Sequence, residues 1–262
     1  MLSSFFPRHC IIYLCDWLLI SLLSPLLFFI PIHFRSLPYL PGKQELNKFR
    51  LTPDGRSIAF LGSHGFVYVV DLVSKEIRSS VKMNARVNDV AFLNGVPGNS
   101  SDLMVTHGDG GSVYIWDYRN TASCLHRFVD EGCLNGTVVR ASADSRFLAC
   151  ASTSGILNLY AAEEALKRPA PKPVKTMQNL LTNIHDVEFN RTSELMAFAS
   201  GETANGVRLA HVPTMGVFSN FPAQDSMGKP RAVAFSPFSG YLAVADSKDT
   251  VNLYRLNHYE NF

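Results

Sequence analysis

The chain has 262 residues, 47% of them hydrophobic and 18% charged, with a formal net charge of +2. That composition excludes an intrinsically disordered chain and supplies enough apolar residues for a sizeable core. So small a net charge excludes a nucleic-acid footprint spread over the whole surface and leaves only local basic patches.

From Cys10 to Phe34 the chain is almost wholly apolar and is bracketed by Arg8 and Arg35. About 20 apolar residues suffice for a helix to cross a bilayer, so residues 1–40 read as a transmembrane-like helical segment. Three sequons, at Asn99, Asn135 and Asn190, would suit a lumenal domain behind such an anchor. Against it, Asp16 lies inside the run, and Pro25 and Pro31 interrupt its second half. The break in composition after residue 40 also fits a mis-assigned first exon, and a buried or interfacial helix is a third reading.

From about Leu46 onward the pattern becomes all-β. The residues Leu51, Phe92, Ala141, Phe189 and Phe235, each preceding a polar turn, recur at intervals of 41 to 49 residues. Blades of four-stranded propellers repeat at about 40–45 residues, and loop insertions lengthen them. Apolar residues alternate by two within each unit, as in strands and not in helical repeats.

The turns carry suitable chemistry: Thr52-Pro53-Asp54-Gly55, Ser142-Ala143-Asp144-Ser145, Asn190-Arg191-Thr192-Ser193 and Ser236-Pro237-Phe238-Ser239-Gly240. Strands are expected next, at Ser57–Leu61, Phe147–Ala151, Leu195–Ala199 and Tyr241–Ala245. Their alanines (Ala149, Ala151, Ala197, Ala199, Ala243, Ala245) would let blades approach closely. Third strands follow at Phe66–Asp71, Gly111–Asp117, Ile156–Tyr160 and Val251–Tyr254. The last unit stops after its third strand, and the set predicts an incomplete β-propeller of about five blades over residues 46–262.

Thr106-His107-Gly108-Asp109-Gly110-Gly111 followed by Val113-Tyr114-Ile115-Trp116-Asp117 is the nearest match to a WD repeat. By that likeness Asp109 and Asp249 order tight turns and Trp116 packs within its blade, all three in structural roles.

The non-repeat words are similar to those of one family. Lys82-Met83-Asn84-Ala85-Arg86-Val87, Arg127-Phe128-Val129-Asp130-Glu131-Gly132, Asn179-Leu180-Leu181-Thr182 and the ending Leu253-Tyr254-Arg255-Leu256-Asn257-His258-Tyr259-Glu260-Asn261-Phe262 resemble the U3 small nucleolar RNA-associated protein 18 family. The resemblance covers about residues 46–262. It implies a nucleolar WD-repeat scaffold of the small-subunit processome, acting in small-subunit pre-rRNA processing beside other processome proteins and small nucleolar RNA or pre-rRNA. It also implies two further blades and an N-terminal extension beyond this region. The alternative is a membrane-anchored interaction protein, should residues 10–34 be a genuine anchor.

No catalytic motif is present: the chain has no Gly-x-Ser-x-Gly, no His-Glu-x-x-His and no phosphate loop. A non-enzyme without cofactor or metal is expected. The five scattered cysteines (Cys10, Cys15, Cys124, Cys133, Cys150) fit reduced thiols. Asp130-Glu131 reads as an exposed acidic turn. The Pro-rich stretch 166–175 places Lys167, Arg168, Lys172 and Lys175 along one connector between a third and a fourth strand. These four are the candidate contacts to a partner or to RNA.

Overall fold

The computed structural model describes residues 48–96, 102–222 and 227–259. The apolar segment 1–40, with Cys10 and Cys15, and the sequon Asn99 lie outside them.

Among the described residues, nineteen strands form five antiparallel sheets in chain order. The first blade contains β1 (Lys48–Leu51), β2 (Ser57–Leu61), β3 (Phe66–Asp71) and β4 (Ile77–Lys82). The second contains β5 (Val87–Leu93), β6 (Leu103–Gly108), β7 (Ser112–Asp117) and β8 (Cys124–Val129). In the third, β9 (Gly136–Ala141), β10 (Phe147–Ser152) and β11 (Leu157–Ala161) precede a short helix α1 (Ala162–Lys167) and β12 (Lys175–Met177). The fourth has β13 (Ile184–Phe189), β14 (Leu195–Ser200), β15 (Val207–His211) and β16 (Gly216–Val217). The fifth has only β17 (Pro230–Phe235), β18 (Tyr241–Asp246) and β19 (Val251–Arg255). Each sheet is an up-and-down meander, and the first strands β5, β9, β13 and β17 lie against one another in succession. The expected strands are present within a residue or two at their ends. Helix α1 was not expected; it begins with Glu163 and Glu164 and ends on Lys167, the charge order that a helix dipole favours.

The core is a set of layers between blades. In blade three, Val139, Leu148, Cys150 and Tyr160 pack toward blade two, whereas Val138, Ala149, Ala151, Leu157 and Leu159 pack toward blade four. Successive strand residues point to opposite faces, so a blade with neighbours on both sides reads as a nearly unbroken apolar run. Ala197 and Ala199 are buried between blades four and five, as close approach requires. Ala243 and Ala245 are half-buried with the exposed Val251 and Leu253, on the face of blade five with no described neighbour.

One turn recurs with the same bonds. Thr52, Ser142, Asn190 and Ser236 each accept the N–H five residues on, at 2.9–3.0 Å, through a side-chain oxygen. The fourth turn residue takes a left-handed backbone: Gly55, then Ser145, Ser193 and Ser239 with φ of 55–61°. Two of these serines have a compensating bond to the preceding blade. Ser145 Oγ accepts from the Asn94 amide and Ser193 Oγ from the Asp144 amide, both at 3.1 Å. Ser239 Oγ is buried with no partner among the described residues. Ser239→Gly removes both the strain and the orphan hydroxyl, so its thermal midpoint rises by about 2–4 °C, corresponding to about 1 kcal/mol. Ser193→Gly, which gives up a bond, shows no such gain.

Candidate functional site: polar seams and a basic arm

Polar groups on the innermost strands join blade to blade in a repeated pattern. Asn88 of β5 donates to the Gly136 carbonyl (2.7 Å), Thr137 of β9 donates to the Ile184 carbonyl, and His185 of β13 donates to the Arg231 carbonyl (2.8 Å). One residue further along, carboxylates accept backbone amides of the next blade: Asp89 from Val139 at 3.3 Å and Asp186 from Val233 at 2.9 Å. Arg140 links these carboxylates, pairing with Asp89, with Asp186 (3.5 Å) and with Glu188 (3.5 Å). Lys48 and Arg50 of blade one reach Asp89 from the other side at 3.7 and 3.9 Å. The ladder thus spans four blades through the side chain of Asp89, which is fully buried.

A second polar node lies between blades two and three, and it corrects the expectation for Asp130. Glu131 is exposed, but Asp130 is 1% exposed and points inward. Its Oδ1 accepts from Asn158 Nδ2 (2.8 Å) and the Tyr160 hydroxyl (2.7 Å), both on β11. Beside it stand His107 of β6, fully buried, and Cys133, 8% exposed. Burial lowers the His107 pKa against the pull of Asp130, which keeps the imidazole neutral. Burial likewise pushes the Cys133 thiol up to about 12, with Asp130 adding to the shift.

Of the residues singled out in the sequence, Trp116 is buried and its indole donates to Thr106 Oγ1 across the blade (3.0 Å). Asp109 sits at the turn after β6, where its carboxylate accepts from Asn88 (2.8 Å) and ties that turn to the inner strand. In blade five the turn amides go to Asp246, not to Asp249. Asp246 accepts from Gly228 (2.9 Å), Lys248 (2.8 Å) and Thr250 (3.3 Å), while Asp249 takes φ 59° in the turn itself. Burial raises the Asp246 carboxyl, yet these backbone bonds outweigh it and hold the pKa at about 2. A depressed folded-state pKa means stability that is present above the unfolded value of 3.8 and is lost as pH falls toward about 2. Urea midpoints of the wild type therefore fall over that window more steeply than those of Asp246→Asn.

The four cations divide into two pairs. Lys167 bonds Glu163 (2.5 Å) and Arg168 pairs with Glu164 (3.7 Å) one helical turn back, so both are partly neutralised. Lys172 and Lys175 are exposed and make no ion pair among the described residues. The arm is pinned at both ends: His126 donates to the Arg168 carbonyl (2.7 Å), and Val174 N–H bonds the Leu159 carbonyl (2.7 Å). After β19 the chain turns back onto blade four, where the Tyr259 hydroxyl donates to Glu194 (2.8 Å) and accepts from Asn190 (2.8 Å). Asn190, fully buried, is therefore no exposed glycan acceptor in the folded chain.

Five radial antiparallel blades, joined inner strand to inner strand, define a β-propeller of the WD-repeat class. A chain in the crystal structure of the mitotic checkpoint complex shares this fold with a TM-score of 0.69 at 14% identity, over 84% of this chain and 64% of that one. No protein-family model matches the chain. Its relatives named U3 small nucleolar RNA-associated protein 18 homolog include one in Mus musculus, 35% identical over 236 residues, and one in Arabidopsis thaliana, 37% identical over 233. The match covers 89% and 87% of this chain and 41% of each relative, and a Saccharomyces cerevisiae relative of that name is 30% identical over 178 residues. Over this region the chain is a homologue of the U3 small nucleolar RNA-associated protein 18 family, as its sequence words had suggested. No helix among the described residues is long and apolar enough to cross a membrane.

Proposed function

We propose that this chain is a non-catalytic, nucleolar scaffold of ribosome biogenesis, acting in small-subunit pre-rRNA processing as part of an assembly of proteins with U3 small nucleolar RNA. The observation that carries the reading is the identity to U3-associated relatives across 89% of the chain. The architecture supports it: the buried polar groups link blades to one another, and the outward features are strand faces, turns and the basic arm.

The test is affinity purification of the tagged protein from its own cells, with sequencing of the RNA that co-purifies. Enrichment of U3 small nucleolar RNA and early pre-rRNA supports the proposal, and background levels of both refute it. Lys172 and Lys175 are the proposed RNA-facing pair. Lys172→Glu with Lys175→Glu lowers retention of a single-stranded pre-rRNA fragment about tenfold. It also flattens the slope of log affinity against log salt by about 1.4, the loss of two single-strand phosphate contacts. Reversal of Lys167 and Arg168 has a smaller effect, since their acids already share the charge.

A further inference from the structure

The node at His107, Asp130 and Cys133 has more acceptors than its protons can serve. His107 Nδ1 lies 3.2 Å from the Val138 carbonyl. A carbonyl only accepts, so Nδ1 carries the proton and Nε2 presents a bare lone pair. That lone pair faces Asp130 Oδ2 at 3.9 Å and Cys133 Sγ at 4.0 Å. Oδ2 is itself buried and makes no hydrogen bond of ordinary geometry among the described residues. Three electron-rich atoms, one from β6 and two from the turn after β8, thus converge within 4.8 Å of one another, with one thiol proton between them.

We propose that His107 Nε2, Asp130 Oδ2 and Cys133 Sγ supply three ligands of a tetrahedral zinc site, with a water as the fourth, that pins the connector between β8 and β9 to β6 and, through the bonds of Asp130, to blade three. The atoms are a borderline-soft set of the kind zinc takes. With zinc–ligand bonds of about 2.1 Å to nitrogen or oxygen and about 2.3 Å to sulfur, tetrahedral ligands stand about 3.4–3.6 Å apart. The two separations at Nε2, 3.9 and 4.0 Å, need to close by about 0.5 Å, and the third, between Oδ2 and Sγ, lies within 4.8 Å. The surroundings also fit: a metal-binding histidine donates its other ring N–H to a carbonyl or carboxylate, as His107 does to Val138. The second oxygen of Asp130 is oriented by Asn158 and Tyr160 of blade three. Gly136 at the start of β9 lets that strand pass against the ring, since a Cβ there would fall 2.2 Å from Nε2. On binding, the Cys133 thiol releases its proton to solvent and the thiolate takes its place as a ligand. The site's net charge is then zero, which a buried seam tolerates.

The experiment is titration of the full chain with Co2+, a spectroscopic substitute for zinc, after chelation. One equivalent binds, producing a thiolate-to-cobalt charge-transfer band and the visible bands of a tetrahedral ion, and Zn2+ displaces it. The band is lost in Cys133→Ser and in His107→Gln but persists in Cys124→Ser. Circular dichroism establishes that each variant is folded. Should both ligand variants unfold, the wild type alone decides: Zn2+ raises the thermal midpoint above that of the chelated protein at one equivalent. Absence of stoichiometric binding, or a band that survives Cys133→Ser, overturns the proposal and leaves the node a plain hydrogen-bonded cluster.

Discussion

Asp89→Asn lowers the stability of the propeller by about 3 kcal/mol, the cost of leaving the buried Arg140 without its closest counter-charge. The substitution is chosen because it keeps the shape and one acceptor oxygen, so the Val139 amide retains a partner. What changes is the charge. Asp89 is 0% exposed, and Arg140, Lys48 and Arg50 all converge on it. Without the carboxylate, the 9% exposed Arg140 retains as counter-charges only Asp186 and Glu188, both at 3.5 Å, beside its bond to the Val139 carbonyl (2.9 Å). Lys48 and Arg50 then add repulsion across the first seam. In urea, where small proteins lose about 1–3 kcal/mol per molar, the midpoint falls by at least about 1 M. Arg140→Met is milder, because Lys48 and Arg50 still face Asp89. If both variants shift the midpoint by less than about 0.3 M, water already screens the ladder and the apolar layers alone hold the inner strands together.

What the sequence revealed of this molecule depends on how far apart the cooperating residues lie. The turn residues Thr52, Ser142, Asn190 and Ser236 were legible because each bonds an amide five residues away and the pattern repeats every blade. The expected alternation of apolar residues by two needs correcting: strand geometry sends Val138 and Val139 to different layers, but both faces of an inner blade are buried, so the apolar run does not alternate. The ladder was missed, since Asp89 and Arg140 are 51 residues apart and Asp186 and Val233 are 47 apart. Those distances are close to one repeat, and the signal was available. Asp89 and Asp186 each stand three residues before an anchor, Phe92 and Phe189, and each directly follows another polar residue, Asn88 or His185. Asp130 was read as a surface turn because adjacent acids on a strand diverge, and its partners Asn158 and Tyr160 come only with the next blade. The turn role given to Asp249 falls to Asp246, as the carboxylate that orders a turn sits at the end of the strand entering it.

Gly155→Ala is expected to cost about 2–4 kcal/mol, from two separable causes. The first is local: Gly155 has φ 80°, a left-handed backbone that a Cβ makes less favourable by about 1 kcal/mol. The second is the approach of the next connector. An added Cβ would lie 2.3 Å from the Leu180 carbonyl oxygen and 2.9 Å from the Thr182 amide, and both are backbone atoms of the segment running from β12 down to β13. Overpacking of this kind costs about 1–3 kcal/mol. The device recurs at Gly65 and Gly111, each before a third strand, with Cβ positions 2.5 Å from the Met83 carbonyl and 2.7 Å from the Cys133 carbonyl. A glycine before each of these third strands thus allows one blade to touch the chain that begins the next. Gly55→Ala separates the two causes: its φ is 66° and nothing lies within 4 Å of the new Cβ, so only the backbone strain is added. Equilibrium unfolding of both variants gives the comparison. A loss at Gly155 exceeding that at Gly55 by about 1 kcal/mol or more places the difference in the inter-blade contact. Equal losses would mean that the connector gives way, and that blades three and four are coupled by their apolar layer and inner-strand bonds instead.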